Sequence, residues 1–167
     1  MKRVVILGRG GAGKSALARR LGEITGLPVT ELDRLFWQDG LNPSEPGHWA
    51  ARQRELTERA AWIIDGDLGP YDYALDARLG AADTVVVLDF SFARCAWRTI
   101  RRGRERGDYW RWIWSYRRRY LPAVMRAIAA HAQDARIHVL RSPAQLRRFI
   151  AEAQARPLRP TRPPRSP

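Results

Sequence analysis

Gly8-Arg9-Gly10-Gly11-Ala12-Gly13-Lys14-Ser15 stands between the β-branched apolar run Arg3-Val4-Val5-Ile6-Leu7 and a stretch in which Leu17, Leu21 and Ile24 recur at helical spacing. The run reads as a strand buried on both faces, the spacing predicts a helix, and Gly26 with Pro28 supplies its stop. The eight residues match G-x-x-x-x-G-K-[ST] in the context that gives the pattern meaning, after a strand and opening a helix. Glycines let successive backbone N–H groups turn toward one centre, where the helix N-terminus adds partial positive charge, and such a cradle suits phosphate oxygens. Gly8, Gly10, Gly11, Ala12, Gly13, Lys14, Ser15 and Ala16 are therefore expected to hold a nucleoside triphosphate, ATP or GTP. Lys14 would reach the terminal phosphates and the Ser15 hydroxyl would ligate Mg²⁺. A glycine turn that caps a helix without any ligand is the plainer alternative. Against it stands the isolation of Lys14, which shares the chain with only one other lysine, Lys2, among 30 Lys and Arg residues. A compact ammonium and a planar guanidinium are not interchangeable, so a position that keeps lysine in so arginine-rich a chain is one that needs it.

Outward from the loop, strands and helices alternate. Pro28 to Leu32 reads as a short strand, Trp49, Gln53, Leu56 and Ala60 as a helix face, Trp62-Ile63-Ile64 as a buried strand and Thr84 to Leu88 as another. Phe92, Ala96 and Ile100 begin a basic helix that gives way to the connector 103–107. Asp108 is placed to cap the next helix, whose core face is expected to carry Trp110, Ile113, Trp114, Leu121, Val124, Met125 and Ile128, with a kink at Pro122. Ile137 to Leu140 is the last strand, and Ser142, Pro143 and Gln145 form the start of a final helix. The alternation predicts an α/β fold with about five parallel strands and helices on both faces, in one domain over 1–155. The tail from 156 to 167, with five prolines and four arginines, reads as disordered.

The net charge of +13 is unevenly spread. Ten arginines against two acids lie between Arg94 and Tyr120, and the tail carries four more. Arg98, Arg101 and Arg102 share a helix face and suit a basic lid over about 94–120 that closes on phosphates, with Arg98 and Arg102 stabilising charge on a transferring group. Arg117, Arg118 and Arg119 would form a second clamp, although a solvated basic face explains most of these residues. Trp110 and Trp114 read as core, Trp112 as pointing elsewhere. The single cysteine, Cys95, and the lack of a long apolar run lead to the expectation of a cytoplasmic protein outside the membrane.

Ligands of open parallel sheets lie beyond the carboxyl ends of the strands, where Asp33, Asp65 and Asp89 are expected. Asp65, in Trp62-Ile63-Ile64-Asp65-Gly66, suits a Mg²⁺-bound water beside Ser15, and Asp33 is placed to take a proton from an attacking alcohol or to bind part of the acceptor. Helix caps and solvated strand ends are the alternatives for each.

Taken together, the phosphate loop, Leu27-Pro28-Val29 with Leu32-Asp33-Arg34-Leu35-Phe36-Trp37, Trp62 to Gly66, Ala82-Asp83-Thr84 with Leu88-Asp89-Phe90, Trp97-Arg98 with Arg101-Arg102, Trp112-Ile113-Trp114 and Leu140-Arg141-Ser142 resemble the adenylate kinase-like P-loop NTPases called DNA topology modulation proteins. The resemblance runs from Lys2 to about Ile150 and implies a three-layer α/β/α nucleoside-kinase-like fold of strand order 2-3-1-4-5. Asp65-Gly66 is similar to the Asp-Gly that closes the third strand of adenylate kinases. Those enzymes continue with phenylalanine, proline and arginine that seat AMP, whereas this chain has Asp67-Leu68-Gly69-Pro70, which argues against AMP as acceptor. The expected activity is ATP-dependent phosphoryl transfer to a small acceptor lined by Asp33, Arg34, Trp37, Asp67 and Arg78. The competing expectation is a nucleotide-regulated DNA- or RNA-binding protein that uses the basic segment and tail, with binding that falls steeply with salt. A degenerate loop that binds nucleotide without turnover is the third.

Overall fold

The computed structural model describes residues 1–36, 45–69, 72–101, 103 and 107–155. Five strands, β1 (Arg3–Gly8), β2 (Val29–Glu31), β3 (Trp62–Asp65), β4 (Thr84–Leu88) and β5 (Arg136–Leu140), form one sheet in the order β2-β3-β1-β4-β5. Every neighbouring pair is parallel. The expected fold class and strand order are therefore those observed.

Side chains of β1 alternate between two cores. Val5 and Leu7 face one core with Ile64, Val85, Val87, Trp49 and Val124, while Val4 and Ile6 face the other with Ile63, Val86, Leu17, Leu21 and Phe149. Both faces of a strand must be covered for a continuous apolar run to be stable, and that requirement produces the three layers. Helices α3 (Pro46–Thr57), α4 (Leu75–Ala81) and α7 (Leu121–His131) supply the first cover, and α1 (Lys14–Thr25) with α8 (Pro143–Ala155) the second. Helix α8 begins as expected, with the Ser142 hydroxyl accepting from Gln145 N at 3.3 Å. The remaining helices are α2 (Leu32–Phe36), α5 (Phe92–Ile100) and α6 (Gly107–Arg119).

Two expectations need correction. The second strand stops at Glu31, where its partner β3 also stops, and Leu32 with Phe36 are buried one helical turn apart, so Asp33 lies in the first turn of α2 rather than at a strand end. Trp114 is not core: it is 67% exposed, and its ring meets that of Phe92 edge-on with centroids 4.9 Å apart. The inward stripe of α6 is instead Tyr109, Trp112, Ile113 and Tyr116, rotated by one position from the expected face. In α5, Ile100 is 65% exposed, and the buried residues are Cys95, Ala96 and Thr99. Helix α4 has no counterpart in the sequence reading. Pro122 stands in the first turn of α7, where its missing N–H has no partner to lose, and it separates α6 from α7. Trp37, Arg102, the cap at Asp108, most of the connector and the tail from 156 lie outside the described residues and side chains. No described helix is long and apolar enough to cross a membrane.

Candidate phosphate-binding site

The loop between β1 and α1 sits at the carboxyl end of the central strand, flanked by β3 and β4. Gly11 and Gly13 adopt φ of 74° and 98°, the left-handed region that side chains disfavour, and these turns bring the chain into α1. The positive φ disfavours a side chain at both, and close packing on backbone excludes one at Gly11. A Cβ on Gly11 would stand 2.5 Å from Cys95 O and 2.6 Å from Thr99 Oγ1, and one on Gly13 would stand 2.9 Å from both terminal nitrogens of Arg98. Arg98 Nη1 donates to Ala12 O at 3.3 Å. Helix α5 thus lies against the loop and delivers Arg98 to its Lys14 end. Lys14 is buried, Ser15 half-buried and Ala16 exposed.

Asp65, at the end of β3, is buried beside Lys14 and Ser15. Burial pushes its carboxyl above the usual range, opposed by the Lys14 ammonium and by a hydrogen bond from Ser15, while Asp33 and Glu31 add to the upward push. Its Oδ1 has no hydrogen-bond partner. A carboxylate with one free buried oxygen next to a serine hydroxyl suits Mg²⁺, which takes few protein ligands and keeps its waters. Among the described residues no three His, Cys, Asp or Glu side chains gather as a closed metal cage. Asp33 is exposed on α2, near enough to Asp65 for its charge to act there, and Arg34 pairs with Glu31 at 3.3 Å.

Asp67 and Arg78 are brought close to the loop but are enclosed. Asp67 Oδ2 accepts from Gly8 N at 3.3 Å and from the Tyr116 hydroxyl, and its Oδ1 accepts from Gly69 N at 3.2 Å. Arg78 is fully buried, donates to Gly66 O at 3.0 Å and pairs with Asp72. These bonds fix the segment that follows β3. Asp89, after β4, is buried and pairs through Oδ2 with Arg117 at 3.1 Å and with Arg141 at 3.6 Å. Arg117 therefore meets a carboxylate, and Arg118 and Arg119 are exposed.

The residues that sequence reasoning missed come from α6. A Cβ on Gly10 would stand 2.2 Å from Tyr109 Oη and 2.9 Å from the Trp112 ring, and one on Gly69 would stand 2.6 Å from Trp112 Nε1. Tyr116 packs edge to face with Trp112, centroids 5.6 Å apart, and carries Arg9 on its face, at 5.7 Å from the ring centroid. Arg9 is the large side chain in a loop of small ones, a signal available from the sequence but silent in the motif, which leaves that position open. A hollow lined by Leu79, Ala82, His131 and Gln133 lies at the opposite, amino-terminal ends of β4 and β5 and has no part in this arrangement.

No family model matches the chain. Adenylate kinases from two strains of Mycobacterium leprae are each 36% identical to it over 86 residues, 50% of this chain and 42% of theirs, so the chain spans well under half the length of these curated relatives. Among solved structures, shikimate kinase from Acinetobacter baumannii in complex with shikimate superposes with a TM-score of 0.60 at 18% identity, over 91% of this chain and 90% of that one. A gluconokinase from Sinorhizobium meliloti 1021 gives 0.56 at 17%, over 92% and 90%. The chain has the fold of the P-loop kinases and an adenylate kinase-like segment over half its length.

Proposed function

We propose that the chain is a phosphotransferase that moves the terminal phosphoryl group of ATP, or of GTP, to a hydroxyl of a small acceptor. The single observation that carries the reading is the loop itself: left-handed glycines, a buried Lys14 and a guanidinium held at Gly13 converge where α1 begins. In this reading the loop amides of Gly8 and of Gly10 to Ala16, with the Lys14 ammonium, bind the phosphates, and Arg98 meets charge that spreads onto the transferring group. Ser15 and Asp65 would hold magnesium, which when bound neutralises the terminal phosphates. Asp33 accepts the acceptor's hydroxyl proton as that oxygen bonds to the terminal phosphorus and the bond to the leaving diphosphate breaks. Arg34 and Trp37 line the acceptor with Asp33. Asp67 and Arg78 join them as supports of the loop after β3. Arg102, with Arg98, belongs to the same basic segment of about 94–120. Membership of the topology modulation proteins and a cytoplasmic location are part of the reading.

Support comes from kinase relatives that act on small molecules, and these favour a small acceptor over nucleic acid. The test is ADP release by the purified chain with Mg²⁺-ATP and a panel of hydroxylated acids, sugars and nucleosides, with Lys14→Ala as control. Turnover with one class, lost in Lys14→Ala, is the expected result. Failure of the wild-type chain to bind any nucleoside triphosphate would overturn the reading.

A further inference from the structure

The loop holds a charge that the fold leaves unanswered. Arg9 is 2% exposed, and its Nε and Nη1 are buried without a hydrogen-bond partner. The ring of Tyr116 is its one described cation–π contact. A guanidinium cannot shed its proton, so it cannot escape burial as a lysine would, and a buried charge without a counter-ion destabilises the protein that holds it. Neither nearby carboxylate pairs with it: Asp67 serves Gly8, Gly69 and Tyr116, and Asp89 turns Oδ2 to Arg117 and Arg141 while its Oδ1 is buried without a partner. A second unfilled donor stands on the same side of the loop. Trp112, packed on Gly10 and Gly69, has its Nε1 buried with no partner.

Both groups are donors only, so whatever completes them must be an acceptor, and the positive charge requires an anionic one. Arg98 and Lys14 already serve the Gly13 end of the loop, whereas Arg9 and Trp112 flank Tyr116 and Asp67, on the side of the segment that follows β3. We propose that Arg9, with the Trp112 indole, binds an anionic oxygen group of the phosphoryl acceptor, a carboxylate or a phosphate carried beside the hydroxyl that reacts. This deepens the kinase reading and rests on it. Tyr109 and Trp112 must swing off Gly10 for the anion to enter.

The full chain, saturated with Mg²⁺ and a non-transferable ATP analogue that fills the terminal phosphate position, is titrated with inorganic phosphate and separately with acetate. The wild type should bind one of the two, which identifies the anion's chemistry. Arg9→Met should weaken that binding by roughly tenfold or more, Arg9→Lys and Trp112→Phe by less, with analogue affinity unchanged. Because the guanidinium's Nε and Nη1 make no hydrogen bond and it has no ion pair among the described residues, Arg9→Met should melt no lower than wild type, a readout that a structural role would move. The proposal is overturned by absence of both anions from the wild type or by full binding in Arg9→Met. A loss of analogue affinity with Mg²⁺-ADP affinity retained also overturns it, because that places Arg9 on the nucleotide's terminal phosphate. If the wild type binds no analogue, the nucleotide reading fails on its own, and the same titrations of the empty protein still decide Arg9.

Discussion

Tyr116 donates its hydroxyl to Asp67 Oδ2, the same oxygen that receives the Gly8 N–H at 3.3 Å, so one buried carboxylate ties α6 to the first residue of the phosphate loop. Burial, then the neighbouring Asp67 charge, pushes the phenol far above its ordinary value, so it stays protonated and donates at every working pH. Tyr116→Phe removes a hydrogen bond to a charged group and leaves the carboxylate short of a donor. A loss of about 1.5–3 kcal/mol is expected from urea denaturation. An unchanged midpoint would mean that the carboxylate finds water or another donor once the phenol is gone.

Asp65 sets the opposite sign of pH dependence from an ordinary paired carboxylate. Its native value is raised, chiefly by burial, so between the unfolded value of about 3.9 and that native value the folded protein binds more protons than the unfolded chain. Stability contributed by this group falls as pH rises through the window and stays lowered at neutral pH. Asp65→Asn should therefore be more stable than wild type at pH 7 without ligand, with less dependence on pH in the acid range, and should bind Mg²⁺-nucleotide less well. Asp72, also raised by burial, is left to contribute its own acid dependence in both proteins. A drop in ligand-free stability at pH 7 would contradict the assignment.

Asp33 stands on α2, exposed and close enough to Asp65 to act on its charge. If it takes the acceptor's proton, Asp33→Asn should slow ADP release by roughly 10²–10⁴-fold while Mg²⁺-ATP affinity is retained, which equilibrium titration beside steady-state assay would check. Equal turnover by the mutant would remove Asp33 from the proton path and leave acceptor orientation as its role.

What could be read from the sequence was the part fixed by local rules. A β-branched run, a glycine loop and a helical repeat define β1, the loop and α1 almost without reference to the rest of the chain. Helix α6 was harder for a physical reason. Trp110-Ile113-Trp114 and Tyr109-Trp112-Ile113-Tyr116 are both helical stripes of large aromatics, and amphipathic rings suit either side of a helix, so periodicity alone does not choose between them. Contact with Gly10 and Gly69 chooses, and that contact is non-local. Residues 29–36 were ambiguous in the same way: Leu32 and Phe36 are spaced for a helix but follow a strand only three residues long. The buried network of Asp67, Tyr116 and Arg9 joins three separated segments, and no spacing rule brings them together.

The buried face of α3 carries Trp49, Gln53 and Leu56, and Gln53 is 0% exposed with neither its Oε1 nor its Nε2 hydrogen-bonded. An amide moved from water into such surroundings loses its hydrogen bonds and regains none, at a cost of about 1–3 kcal/mol in proteins. Methionine has nearly the same length and volume and no such requirement, and its thioether adapts to irregular space. Gln53→Met should therefore raise the free energy of unfolding by about 1 kcal/mol, while Gln53→Ala, which leaves a cavity, should lower it. The pair of substitutions separates the two effects, since packing alone would make both destabilising. If Gln53→Met proves less stable than wild type under urea denaturation, the amide is satisfied in solution by a partner such as an internal water, and the polar group stabilises the fold rather than burdening it.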